Sequence, residues 1–355
     1  MTSSEPGIVI AGLGAATAIG RDAWASAAAG RAGLSGFAAH AYMVDSVGRP
    51  MQIAPMPWID PESGIVERIG EALVGALREA LAPLTMHGRR APVSLLVNLP
   101  APRPGMPGNL GQRIGPIVNE QFPGVFDRIG TALLGHAGAL VGLRSAVAIL
   151  QEQPHRLCVV AGADSYIEPD LLEWLERTDQ LHGAGERNNA WGFIPGEGAG
   201  ALLLAVPEAL DHLELDPIGR IRSVGFGRET ELIGTGTVCL GHGLTDAVRD
   251  AIGAGLRDGE RVTDVYCDMN GEPYRADEYA FLVSRTREHF VAASEFVSPA
   301  DCWGDVGAAS APLLITLACI AGAKGYSKGD AALVWASSVT GERGAALLSS
   351  TAARN

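Results

Sequence analysis

Midway along the chain, Gly192-Phe193-Ile194-Pro195-Gly196-Glu197-Gly198-Ala199-Gly200 leads directly into the apolar run Ala201-Leu202-Leu203-Leu204-Ala205. Glycines at this density require either positive φ or a backbone that comes very close to something else. The run that follows has no alternation, so it reads as a strand buried on both faces, which needs a sheet covered by helices on both sides. On local physics the stretch is a tight turn feeding a core strand. Glu197 is expected to brace that turn through backbone hydrogen bonds.

Strands and helices alternate on either side of this turn. Ile8 to Gly12 reads as a buried strand closing in a glycine turn, and Trp24 to Ala29 as a helix ended by Gly30. Ile65, Ile69, Leu73, Leu77 and Leu81 recur every four residues, the mark of an amphipathic helix with Pro83 just past its end. Val93 to Val97 is a second strand, followed by a Pro/Gly-rich loop from Pro100 to Gly108 that reads as mobile, a lid or a surface excursion. Leu140 to Leu150 reads as a buried helix and Leu157 to Ala161 as the next strand. Beyond Pro217 the pattern repeats. Ile218 to Val224 is a strand, Thr245 to Leu256 a helix capped by Thr245, and Val262 to Cys267 a strand. Ala308 to Ala321 is a helix of small residues and Ala331 to Ala336 a final strand. This rhythm predicts an α/β protein with a mixed, mostly parallel sheet.

Composition narrows the functional classes. With Lys+Arg 27 against Asp+Glu 40, the formal net charge of −13 disfavours nucleic acid and anionic membranes as partners. The five cysteines show no close pairing, which points to a reducing compartment. The N-terminal wording lacks a basic region followed by an apolar one, and the apolar stretch from Gly307 to Ala323 is interrupted by Ser310 and Pro312. The expectation is therefore a cytoplasmic protein with no membrane span. Neither a cofactor nor a metal is expected, because His242, Asp246 and Asp268 lack ligand spacing. Gly12-x-Gly14 does not develop into a dinucleotide loop either, since its third glycine is out of place and no acidic residue follows a second strand.

The wording G-F-x-x-G-E-G-A-G before an aliphatic strand resembles the mid-chain motif of β-ketoacyl synthases, the condensing enzymes of the thiolase fold. Other stretches share the resemblance. Val9 to Gly20 is similar to the family's opening strand with its G-x-G and T-x-x-G turn, and Gly30-Arg31-Ala32-Gly33-Leu34 continues it. Ala161-Gly162-Ala163-Asp164 resembles the strand end before the long loop to Gly192. The resemblance implies a thiolase-like α/β fold, with two similar halves in a layered αβαβα arrangement. The halves would be residues 1–216 and 217–355, although they share no obvious wording.

It also implies where the chemistry should lie. The family's nucleophilic cysteine opens a buried helix with the wording T-A-C-S-S-S-L, where a helix N-terminus lowers its pKa and backbone amides hold the oxyanion. This chain reads Leu134-Gly135-His136-Ala137-Gly138-Ala139-Leu140, which places His136 at that position. A shift of one residue would place Ala137 there, and neither supplies a thiol. In the family's H-G-T-G-T, Asn270 of Asp268-Met269-Asn270-Gly271-Glu272 replaces the first histidine. Asp305 of Ala300-Asp301-Cys302-Trp303-Gly304-Asp305 replaces the second, and Ala300 the lysine. Asp277 and Glu278 resemble the acidic pair that follows the first motif, in a structural role. Cys302 and Cys267 sit at no helix start, while Cys158 and Cys319 lie in apolar runs as core residues.

These replacements bear on mechanism. Decarboxylative condensation needs a thiolate to carry the acyl chain and neutral donors to stabilise an enolate. An acyl-imidazole is hydrolytically labile. An ionised Asp305 would oppose an enolate about 4 Å away by roughly 4 kcal/mol at an effective dielectric near 20. The resemblance therefore implies a catalytically silent ketosynthase-like subunit that acts by binding. Its partner would be a homodimer mate, a different ketosynthase-fold chain, an acyl carrier or another protein. One alternative is a repurposed acyltransferase or thioester hydrolase with His136 as base, oriented by Asp305. Against that, His136 and Asp305 can simply satisfy each other in a filled pocket. A further alternative is an accessory protein of a bacterial secretion cluster.

Overall fold

The computed structural model describes residues 7–86, 88–233 and 235–350. The chain runs β1 (Ile8–Thr17), α1 (Ala23–Arg31), β2 (Ala38–Val44), β3 (Pro50–Ile53), α2 (Ile65–Ala80), α3 (Ala82–Met86), β4 (Val93–Leu99), α4 (Leu110–Gln121) and β5 (Phe126–Leu133). Next come α5 (Gly138–Glu152), β6 (Leu157–Ser165), α6 (Pro169–Arg177), β7 (Glu197–Ala205), α7 (Pro207–Leu213), β8 (Gly219–Arg228) and α8 (His242–Gly255). It closes with β9 (Asp264–Cys267), α9 (Pro273–Thr286), α10 (Ala300–Trp303), α11 (Ser310–Ala323), β10 (Ala332–Ser337) and β11 (Glu342–Ser350).

Nine strands form one mixed sheet in the order β5-β4-β6-β7-β1-β8-β11-β10-β9. Among the described residues, its two halves meet only where Ile8–Ile10 of β1 pair with Gly219–Ile221 of β8. Helices α5 and α11 lie between the halves, α5 touching β4 and β6 on one side and β8 and β11 on the other. α11 likewise contacts β6 and β7 as well as β9, β10 and β11. α2 covers the outer face of the first half, and α8 that of the second. The result is the layered αβαβα arrangement. It explains why α11 is apolar all round and buried from Ser310 to Ala321, since a helix between two sheets has no solvent face.

The sheet is not mostly parallel. β4 with β5 and with β6, and β9 with β10, are parallel, whereas β1–β7, β6–β7, β1–β8, β8–β11 and β10–β11 are antiparallel. Burial on both faces, which the apolar run of β7 does show, reports the layers above and below a strand and not its direction.

Several boundaries move for identifiable reasons. α1 runs through Gly30 to Arg31. α8 starts at His242, so Thr245 is not its cap but lies in the first turn, where its Oγ1 donates to the Gly241 carbonyl at 2.6 Å. The capping acceptor is instead the remote Glu229 carboxylate, which receives the Gly243 amide at 3.1 Å. The Pro100–Gly108 loop is pinned. Arg103 donates to the buried Asp164 at 2.5 Å and to the Ser165 carbonyl at 2.7 Å, and stacks over Tyr166.

Glu79 joins α2 to β1 and α1 by accepting the Ala15 amide at 2.9 Å and the Ala23 amide at 2.9 and 3.0 Å. Burial pushes its carboxyl up to about 7, and Asp22 adds to this, against those two amides. The folded value lies above the unfolded one, so protonation stabilises the fold. That contribution is complete below pH of about 4.5 and is lost as pH rises through about 7. The melting temperature is expected to fall between these pH values, and to fall less in Glu79→Gln. Equal slopes in a thermal-shift pH series would show that Glu79 is not the titrating group.

Candidate functional site

The glycine turn holds the site segment by its backbone. The Asp305 amide donates to the Ile194 carbonyl and the Gly196 amide to the Asp305 carbonyl, each at 2.8 Å. None of Gly192, Gly196, Gly198 and Gly200 has positive φ, so close approach is what requires them. A Cβ on Gly196 would lie 2.4 Å from the Trp303 carbonyl oxygen, and one on Gly198 2.9 Å from that of Ala16. Glu197 is not braced within the turn. It is fully buried in a bidentate pair with Arg68 (2.6 and 2.8 Å) and accepts the Met56 amide and the Ser165 hydroxyl.

His136 sits in the tight turn Gly135–Ala137 that opens α5, with Gly135 at φ +66°. Asn98, near the end of β4, donates to the Gly135 carbonyl at 2.6 Å and to that of Ala308 at 3.0 Å, linking this turn to the one before α11. Ser338 holds the other side, accepting the Ala137 amide at 2.9 Å and donating to the Leu134 carbonyl at 2.5 Å.

All three residues expected from the sequence meet here. His136 Nε2 lies 2.8 and 3.1 Å from the two Asp305 oxygens, and Asn270 Nδ2 donates to Asp305 Oδ2 at 2.7 Å. Other members of the cluster were not anticipated. Asn270 also donates to Glu272 at 2.8 Å. Arg275, on the first turn of α9, reaches Asp268 at 2.7 Å, Glu272 at 3.3 Å and the Ser337 carbonyl at 3.1 Å. Its second terminal nitrogen is 3.3 Å from His136 Nε2. The one sequence signal for it was the i, i+3 spacing of Glu272 and Arg275 at a helix start.

His136, Asp305 and Arg275 are 3%, 4% and 1% exposed. Burial opposes ionisation of Asp305. It is outweighed by His136, by Arg275 and by the Gly307 amide at 2.8 Å, which together hold the carboxyl well below the usual carboxylate range. A carboxylate only accepts, so the bond to Asp305 requires a proton on His136 Nε2, and the Arg275 nitrogen beside that atom is then in contact without bonding to it. Burial pushes Glu272 and Asp164 the other way, upward, despite Arg275 and Arg103 beside them.

Space around this network is small. A void of about 20 Å³ beside Asn270, Asp305 and Trp303 has room for one water molecule. A larger groove of about 900 Å³ passes Asn270 between residues of both halves, Arg31, Phe37 and Gly192 among them, but is not lined by His136 or Asp305.

The five cysteines are free and buried, and burial pushes the Cys302 thiol up to about 11 and that of Cys267 higher still. His242 and Asp246 are exposed on α8, away from the buried Asp268. Glu278 is structural, bonded to Arg343 at 2.5 Å and to the Ser337 hydroxyl at 2.6 Å, whereas Asp277 is exposed. Glu229, Cys239 and Glu278 bring three potential metal ligands together. The Arg343 guanidinium already occupies that cluster, and its charge repels a cation.

No protein-family model matches the sequence, and no curated protein matches it. Solved structures do match by fold. An oxazolomycin ketosynthase domain from Streptomyces albus JA3453 superposes with a TM-score of 0.74 at 14% identity, over 99% of this chain and 75% of that one. The module 6 ketosynthase of the bacillaene synthase from Bacillus subtilis 168 gives 0.77 at 14% identity, over 97% and 72%. The ishigamide ketosynthase/chain length factor gives 0.77 at 15% identity, over 98% and 99%. The chain thus has a ketosynthase-like thiolase fold. Among the described residues, no helix is long and apolar enough to cross a membrane.

Proposed function

We propose that this chain is a catalytically silent ketosynthase-fold subunit, with halves 1–216 and 217–355, that acts in the cytoplasm by binding a partner. The observation that carries the reading is the content of the nucleophile's position. At the turn that the resemblance assigns to it, an imidazole is buried against a carboxylate and Arg275, and the void of about 20 Å³ beside Asp305 has room for one water. Supporting the partner role, a ketosynthase/chain length factor and a ketosynthase complexed with its acyl-carrier protein are among the structures of like fold. β5 ends the sheet, and such an open edge offers a ketosynthase-fold mate, identical or different, a strand to pair with.

One observation favours a second reading. His136 and Asp305 at 2.8 Å have the geometry of a base and its orienting carboxylate, suited to thioester hydrolysis or acyl transfer. Incubating the purified chain with acyl-thioesters of several lengths separates the two. Intact mass and free-thiol release are expected to show neither acylation nor hydrolysis. A His136→Cys variant is expected to stay unacylated as well, because Arg275 and Asp305 remain in place. Turnover by the native chain that disappears in His136→Ala would overturn the silent reading.

A further inference from the structure

The groove of about 900 Å³ lies against a sheet edge. Beyond β9 the chain returns as a short extended segment, with the Val297 amide donating to the Val265 carbonyl at 2.8 Å and the Cys267 amide to the Val297 carbonyl at 3.0 Å. Val297 thus gives both main-chain groups to β9, and those of Phe296 and Ser298 point away from it. Among the described residues, neither Phe296 nor Ser298 has a main-chain hydrogen-bond partner. Phe296 and Val297 are 40% and 47% exposed, so the open edge is also apolar. Proteins usually blunt such an edge with charge, proline or a covering element.

Opposite the edge, the groove is lined by Arg31, Phe37, Leu317 and Tyr326. The Arg31 guanidinium stacks on Tyr326 at 3.9 Å and has no carboxylate partner among the described residues. Lys328, by contrast, is paired with Glu295 at 2.6 Å. Arg31, which has no ion pair among the described residues, therefore faces a groove that Asp264 and Asp301 also line, and whose far wall presents free main-chain donors and acceptors. A second extended main chain satisfies all three features, whereas an apolar small molecule leaves the edge groups unpaired.

We propose that this groove binds an extended segment of a partner protein by strand addition at Phe296–Ser298. Alternate side chains of that segment are apolar and enter the groove, and an acidic residue meets Arg31. The proposal goes beyond the silent-subunit reading and stands whether or not the His136 position is silent.

The probe is a displayed library of random linear peptides selected on the full chain, with the best binder then synthesised. Its sequence is expected to alternate apolar residues and to carry an acid. N-methylation of its amides in one alternating register, but not the other, should weaken binding by about tenfold or more. Val297→Lys should weaken it comparably with the melting temperature retained. Arg31→Glu should weaken the acidic peptide but not its Gln counterpart. No enrichment, equal tolerance of N-methylation in both registers, or full binding to a folded Val297→Lys variant would overturn strand addition. So would an apolar dye that fills the groove and is not displaced by the peptide. If Val297→Lys does not fold, the N-methylated peptides test the native chain directly.

Discussion

Replacing Arg275 with alanine is expected to remove about 3–5 kcal/mol of stability, a large share of the roughly 5–15 kcal/mol typical of a folded protein. Arg275 is 1% exposed and faces Asp268 at 2.7 Å and Glu272 at 3.3 Å, with Asp305 joined to the same network through Asn270. Without the guanidinium, Asp268, Glu272 and Asp305 lose the cation they share and keep only neutral donors, from Asn270, His136 and the Ser337 and Gly307 amides. The charge imbalance causes the loss, not the missing volume alone. Accordingly, Arg275→Met combined with Asp268→Asn should recover part of it, because that pair removes one acid along with the base. Urea unfolding of the three proteins measures the difference. A loss below about 1 kcal/mol for Arg275→Ala would show that these carboxylates do not depend on Arg275.

The same cluster shows how far the sequence could be read. His136, Asn270 and Asp305 were legible because the wording around each resembles a family motif, and the three side chains do meet in space. Arg275 was not legible. It lies on a helix start of ordinary wording, and only the three-dimensional turn brings it to His136. Arg103 was hidden for another reason. A Pro/Gly-rich segment reads as mobile unless one knows that a buried Asp164, far along the chain, waits for its guanidinium. The capping of α8 by Glu229 and the pairing of Glu197 with Arg68 fall in the same class, as contacts between remote positions that leave no local signature.

The strands show a parallel division. β7 was clear from five consecutive apolar residues, but β5 was missed because an edge strand is half exposed and its wording, Phe-Asp-Arg-Ile-Gly-Thr-Ala-Leu, neither alternates nor runs apolar. α4 was missed for its interior Pro116 and two glycines, Gly111 and Gly115. Hydrophobic pattern reports burial, so elements at the rim of the fold carry the least of it. The rim is also where a binding subunit would meet its partner. The surfaces that matter most to the proposed role were thus the least legible.

The frame itself should be intolerant at one point above others. Gly196→Ala is expected to cost about 2–4 kcal/mol, because the added Cβ would sit 2.4 Å from the Trp303 carbonyl oxygen and 3.0 Å from that of Asp305. Both neighbours are backbone and cannot rotate away. Relief requires the two segments to separate, which breaks the paired hydrogen bonds between Ile194, Gly196 and Asp305. Separation would also withdraw the Asp305 carboxylate from His136. The variant should therefore lose stability and shift the His136 imidazole signals in an NMR spectrum together. Gly253→Ala is the matched control. That glycine lies exposed within α8, and an added methyl group would meet nothing within 4 Å, so the same substitution should stabilise by up to about 1 kcal/mol. If both substitutions proved neutral or stabilising, the mid-chain glycines would be serving chain flexibility, and the tight seat of Asp305 against the turn would not be what retains them.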